Sequence, residues 1–263
     1  MKRLLPTLTI ALTALLLAAC AGTGPSANRE IKTDSDQTDG DRRAAIRLEL
    51  AQGYFSRGQL NTALDELKLA LQAKPDMREA VNLRGLIYAA MGDSQLAEEA
   101  FRRALAVYPG DPDTLHNYGW FLCQQQRWQT ADALFDQALS QPSYRAPART
   151  LLAKGVCEAR SGRLLVAEKT LLRAFELDPA SPVIAVNLSE VLYRNAEYER
   201  ARFYVKRVNS QPDQANAQSL WLQLRIERKT GNTSAVDDLS LQLRRKHPQS
   251  PETQQLDTGR FED

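Results

Sequence analysis

Arg78–Asp111 reads REAVNLRGLIYAAMGDSQLAEEAFRRALAVYPGD, and its spacing is that of one helix, a tight turn and a second helix. Gly85 and Ala97 are small where two antiparallel helices would cross, so the backbones can approach. Tyr88 and Phe101 are large enough to fill the space beside that crossing. Gly92 stands where the first helix must end in a left-handed residue, and Pro109 followed by Gly110 stops the second. A single hairpin of this kind cannot bury its apolar face alone, so it must stack on neighbours.

Copies of the stretch lie on both sides. The spacing is the 34-residue period of a tetratricopeptide repeat (TPR), and six units emerge at about 44–77, 78–111, 112–145, 148–181, 182–215 and 216–248. Pro75 and Pro109 lie one period apart. The third unit carries Gly119, Ala131 and Phe135, the fourth Gly155, Ala167 and Leu171, with a two-residue excess near Ser143–Pro147 between them. The fifth (Leu192, Ala196, Ala201) and sixth (Trp221, Gly231, Leu239) are looser copies. The expected fold is all-α: a right-handed superhelix of helix-turn-helix units over residues 42–248, ending in a polar, frayed tail at 249–263. No alternating apolar run suggests a sheet.

The N-terminus has a different character. Met1–Lys2–Arg3 is a positive start, Leu4–Leu17 is mostly apolar, and Leu17–Ala18–Ala19–Cys20 closes the segment. Residues 1–19 read as a secretory signal peptide, and its ending resembles the lipobox of bacterial lipoproteins. That resemblance implies a Cys20 carrying a thioether-linked diacylglycerol and an acylated amino group, palmitate being a typical chain. Several acyl chains anchor a protein durably, at about 0.8 kcal/mol per buried methylene. Ala21 is not the Asp that resembles an inner-membrane retention signal, which points to the outer membrane and a chain facing the periplasm. Residues 20–41 hold one large apolar side chain, Ile31, and read as a tether spanning roughly 25 Å.

Composition excludes several classes. Net charge is +2 with acids and bases interspersed, so the basic stripe of a nucleic-acid binder is missing. His116 and Cys123 lie seven residues apart on one helix, about 10 Å along its axis, too far for a nucleophile–base pair. There is no Cys/His metal spacing, no P-loop and no dinucleotide fingerprint. Neither catalytic residues, nor a small-molecule substrate, nor a metal or cofactor beyond the covalent lipid is expected. Cys123 and Cys157 fall on the first helices of adjacent units in a chain bound for an oxidising compartment. They read either as a disulfide or as two small buried residues.

The groove of a TPR stack is lined by its first helices. Transferring its positions to this chain selects Leu48, Gln52 and Phe55 in the first unit, Asn82, Leu86 and Ala89 in the second, and Asp113, His116, Trp120 and Cys123 in the third. One reading is an apolar groove with Trp120 as aromatic anchor for a partner peptide or helix; the other packs Trp120 between repeats as core. Leu48 and Gln52 stand where the carboxylate clamp of chaperone-adaptor TPRs has Lys and Asn.

Taken together, the lipobox, tether and repeats resemble the pilotin family of type IV pilus assembly (PilF/PilW). The most specific piece is LHNYGWFLCQQQRWQTADALFDQAL, Leu115–Leu139; SLWLQLRIER from Ser219 and LQLRRKHPQS from Leu241 are also similar to that family's final repeat. The resemblance implies a lipid-anchored outer-membrane scaffold that binds the secretin subunit and promotes its outer-membrane localisation or multimerisation. Trp120 departs from the small residue expected in that segment, so partner contacts there would differ. The alternative is a TPR lipoprotein that docks peptidoglycan synthesis or hydrolysis enzymes.

Overall fold

A computed structural model describes residues 38–261. Among them are thirteen helices and no strand. Six antiparallel pairs follow one another: α1 (Asp39–Ser56) with α2 (Leu60–Ala73), α3 (Arg78–Ala90) with α4 (Ser94–Val107), and α5 (Pro112–Gln124) with α6 (Trp128–Leu139). The second half continues with α7 (Pro147–Arg160) and α8 (Leu164–Leu177), α9 (Pro182–Arg194) and α10 (Tyr198–Asn209), and α11 (Ala217–Lys229) and α12 (Thr233–Lys246). A short α13 (Pro251–Asp257) closes the stack. The signal peptide, Cys20 and most of the tether lie outside the described residues.

Each pair is built as the reference stretch demands. A Cβ at Gly85 would fall 2.5 Å from Phe101 Cε1, inside contact distance. Gly119 against Phe135 and Gly155 against Leu171 repeat the arrangement, at 2.9 and 2.6 Å. Ser189 holds the equivalent place in the fifth pair, where its hydroxyl donates to the Ala201 carbonyl at 2.8 Å. Four inter-helix turns use glycine in the left-handed region, but the third and fifth use Gln126 (φ 59°) and Ala196 (φ 61°).

Core clusters bridge neighbouring repeats. Leu67, Ala70, Ala80 and Ile87 join the first two units. Phe101, Leu115, Phe121 and Phe135 carry the core onward through the third, and Cys157 brings in the fourth.

Both ends differ from expectation. Helix α1 starts at Asp39, so residues 39–41, read as tether, belong to the first repeat. A capping box sets this start: the Thr38 hydroxyl accepts from the Asp41 N–H, and the Asp41 carboxylate accepts from the Thr38 N–H, both at 3.1 Å. Lys74 also donates to Asp41 at 2.9 Å, and this bond, helped by Thr38, holds the Asp41 carboxyl well below the usual range. At the other end the tail is ordered as far as the described residues run, to Phe261. Ser250 caps α13, Leu256 is buried, and the Phe261 ring stacks on Trp221 with centroids 5.5 Å apart. The cause is the last repeat's apolar face (Leu220, Trp221, Leu224, Leu243), which has no following repeat and takes α13 as its cover.

Candidate functional site

The first helices of units one to four together line a cleft of about 350 Å³. Gln52 contributes from α1, Arg78, Glu79, Asn82 and Leu86 from α3, Asp113 and Asn117 from α5, and Arg149 from α7. Asp111, at the foot of α5, caps that helix by accepting from the Thr114 N–H at 2.9 Å, and Pro112 occupies the first helical position.

One arginine ties the far wall together. From α7, Arg149 Nη2 donates to Asn117 Oδ1 at 3.1 Å and Nε donates to His116 Nε2 at 3.1 Å. Its Nη1 lies 3.5 Å from Asp113 Oδ1. Asn117 passes the network on, its Nδ2 donating to Asn82 Oδ1 across the α3/α5 seam at 3.2 Å. The cleft therefore carries a chain of side-chain amides along its floor, with Arg78, Glu79 and Arg149 as charged flanks. Arg78 stands 5.1 Å over the Tyr108 ring, and Tyr108 donates its hydroxyl hydrogen to the Asp76 carbonyl. Amide groups of this kind can donate to and accept from an extended backbone.

His116 is not a groove residue. It is 7% exposed, and Nε2 already accepts from Arg149, so Nδ1 carries the proton and donates to Thr150 Oγ1 at 2.9 Å. The Tyr144 hydroxyl, from the loop holding the two-residue excess, meets Thr150 Oγ1 at 2.5 Å. Burial first, then the Arg149 charge, pushes the imidazole pKa down to about 3. The ring is a neutral strut between α5 and α7.

The other expected groove residues divide. Gln52, Asn82, Leu86 and Asp113 line the cleft. Leu48 is buried in the core of the first two units, where Phe55 packs partly buried, and Ala89 packs against the next cluster. Trp120 does not line the cleft: it is partly buried against that same cluster, with the Arg160 guanidinium 5.2 Å over its ring. The cleft is consequently lined mostly by polar side chains, with Leu83 and Leu86 among them, in contrast to the apolar groove expected. Most apolar side chains of the first helices turn into the seams between repeats, which leaves amides and charges beside Leu83 and Leu86 on the open side.

Cys123 and Cys157 form a disulfide across the α5/α7 seam, with Cα atoms 5.8 Å apart. Both are buried. Cys123 is therefore a staple and offers no free thiol.

Arg78, Asn117 and Arg149 were absent from the groove positions transferred by repeat geometry. A signal for two of them existed: Asn117 follows Asn82 by 35 residues and Arg149 follows Asn117 by 32, each close to one period. Complementary polar residues one period apart on first helices mark side chains that meet across a seam.

Comparison with known proteins agrees with this architecture. A tetratricopeptide repeat model matches residues 48–112 and 122–182, and a second matches 100–133. The type IV pilus assembly protein PilF of Pseudomonas aeruginosa is 29% identical over 251 residues, spanning 95% of this chain and 98% of that protein. Among solved structures, PilW, described as a widely conserved type IV pilus biogenesis factor, is 30% identical with a TM-score of 0.75, covering 81% of this chain and 97% of its own. The PilF structure from Pseudomonas aeruginosa is 26% identical with a TM-score of 0.73, covering 84% and 100%. With its repeats matched and 95% of its length aligned to PilF, this chain belongs to the PilF/PilW family of tetratricopeptide-repeat proteins in type IV pilus biogenesis.

Proposed function

We propose that this protein is a pilotin: a lipoprotein anchored in the outer membrane through Cys20, facing the periplasm, that binds the type IV pilus secretin subunit and promotes its localisation and multimerisation there. The observation that carries the reading is the near full-length likeness to PilF and PilW. The Leu17–Cys20 lipobox and Ala21 support the anchor and its destination. In this mechanism the acyl chains hold the protein at the membrane, the tether gives it reach, and the amide-lined cleft holds an extended segment of the client. Arg149 and Asn117 keep the cleft's polar groups aimed outward. The protein acts as a scaffold and performs no bond chemistry.

The test is co-purification. Full-length tagged protein should retain the secretin subunit from detergent-solubilised membranes, and Arg149→Ala should weaken that retention about five- to tenfold, as expected when a hydrogen-bonded charged group is lost. Retention of a peptidoglycan synthase or hydrolase with no secretin would overturn the reading.

A further inference from the structure

Outside the cleft, a second cluster has chemistry that the scaffold reading does not use. A pocket of about 120 Å³ lies between α3 and α4, lined by Arg84, Tyr88, Leu96, Glu99, Ala100 and Arg103. It shares no residue with the concave cleft. Arg84 is half-buried and Arg103 exposed. Neither guanidinium makes a hydrogen bond or an ion pair with any described residue. Their neighbour Arg102, one position from Arg103, instead grips Glu98 at 2.6 Å. Partly burying a cation is unfavourable, a second cation beside it adds repulsion, and the nearby Glu99 carboxylate offsets only part of this. Burial, followed by Arg103, accordingly holds the Arg84 guanidinium below its ordinary pKa.

The pocket carries a net positive charge. Two guanidiniums and the Glu99 carboxylate sum to a charge of +1, so one monovalent carboxylate neutralises it while a phosphate dianion would overshoot. The Tyr88 ring and Leu96, which is 40% exposed, offer apolar walls to a methylene stem. We propose that Arg84 and Arg103 receive a carboxylate side chain of a protein partner, in a fork geometry suited to guanidinium.

The experiment follows the Nε–Hε NMR signals of Arg84 and Arg103 in the full-length chain held in neutral detergent. Signals are assigned by their loss in Arg84→Gln and Arg103→Gln. The probes, at constant ionic strength, are acetyl-Gly-Glu-Gly-amide, its Gln counterpart, inorganic phosphate, and vesicles containing phosphatidylglycerol. The Glu peptide should move both signals with saturation, and the Gln peptide should not. Arg103→Gln should weaken binding about threefold and Glu99→Gln should tighten it by about as much. A role in folding alone would not give these opposite signs. Absence of saturation, an equal response to the Gln peptide, tighter binding of phosphate or vesicles, or the same direction of change in both variants would overturn the assignment. None of these outcomes depends on whether the client of the cleft is secretin.

Discussion

Two hydrogen bonds fix the protonation state of His116, because a proton on Nε2 would face the Arg149 N–H donor-to-donor. With a folded pKa of about 3 against about 6.5 in the unfolded chain, only the unfolded state takes up a proton between those values. The stability linked to this residue is therefore complete above about pH 6.5 and falls as pH drops toward 3, by up to about 1.4 kcal/mol per pH unit. Urea unfolding from pH 7 to 4 should show that slope, and a His116→Phe variant should lose it. At Gly85, a Cβ 2.5 Å from the Phe101 ring makes Gly85→Ala cost about 1–3 kcal/mol, read as a lower urea midpoint. Gln126 and Ala196 are left-handed residues with a Cβ, so Gln126→Gly and Ala196→Gly should each stabilise by about 0.5–1 kcal/mol. Gly85 was legible in the sequence because its spacing from Ala97 and Phe101 repeats in later units. His116 was not: its burial depends on Tyr144 and Thr150, which the irregular loop before α7 brings to it.

Among the elements, the six helix pairs could be read directly, since small, large and turn-forming residues recur with one period. The closing helix could not. PETQQLD has too little apolar content to announce a helix, and its order comes from the exposed end of the sixth repeat, where Leu220 and Trp221 need cover. Truncation after His247 should lower the melting temperature and selectively remove hydrogen-exchange protection from α11 and α12, leaving α1–α6 protected. The disulfide belongs to this scale too. It clamps α5 to α7 across 34 residues of chain, where loop-closure entropy suggests about 4 kcal/mol of stabilisation. Thiol reductant should lower the melting temperature, and intact mass should rise by two hydrogens on reduction. The groove positions transferred from repeat geometry found four lining residues but overestimated apolar character, because periodicity identifies a helix face without saying which side chains turn from it into the seam.

For the whole molecule, stacking six repeats turns side chains one period apart into neighbours. The Asn82–Asn117–Arg149 chain exists only in that stack, and no single repeat contains a site. A long, open polar surface of this kind suits an extended client better than a reacting substrate, which is consistent with a scaffold role in pilus biogenesis. On the proposed pilotin reading, a lipid on Cys20 gives that scaffold its address. Cys20→Ala should leave the repeats folded, with unchanged circular dichroism, while releasing the protein from the outer-membrane fraction; retention there would remove the lipid anchor from the account.

Blotting membrane fractions for secretin multimers in cells lacking this chain tests the pilotin role. Multimers should disappear, or remain in the inner membrane, and the wild-type chain should restore them. Normal multimers in the outer membrane without it would contradict the pilotin role and turn attention to wall-synthesis enzymes as the client of the cleft.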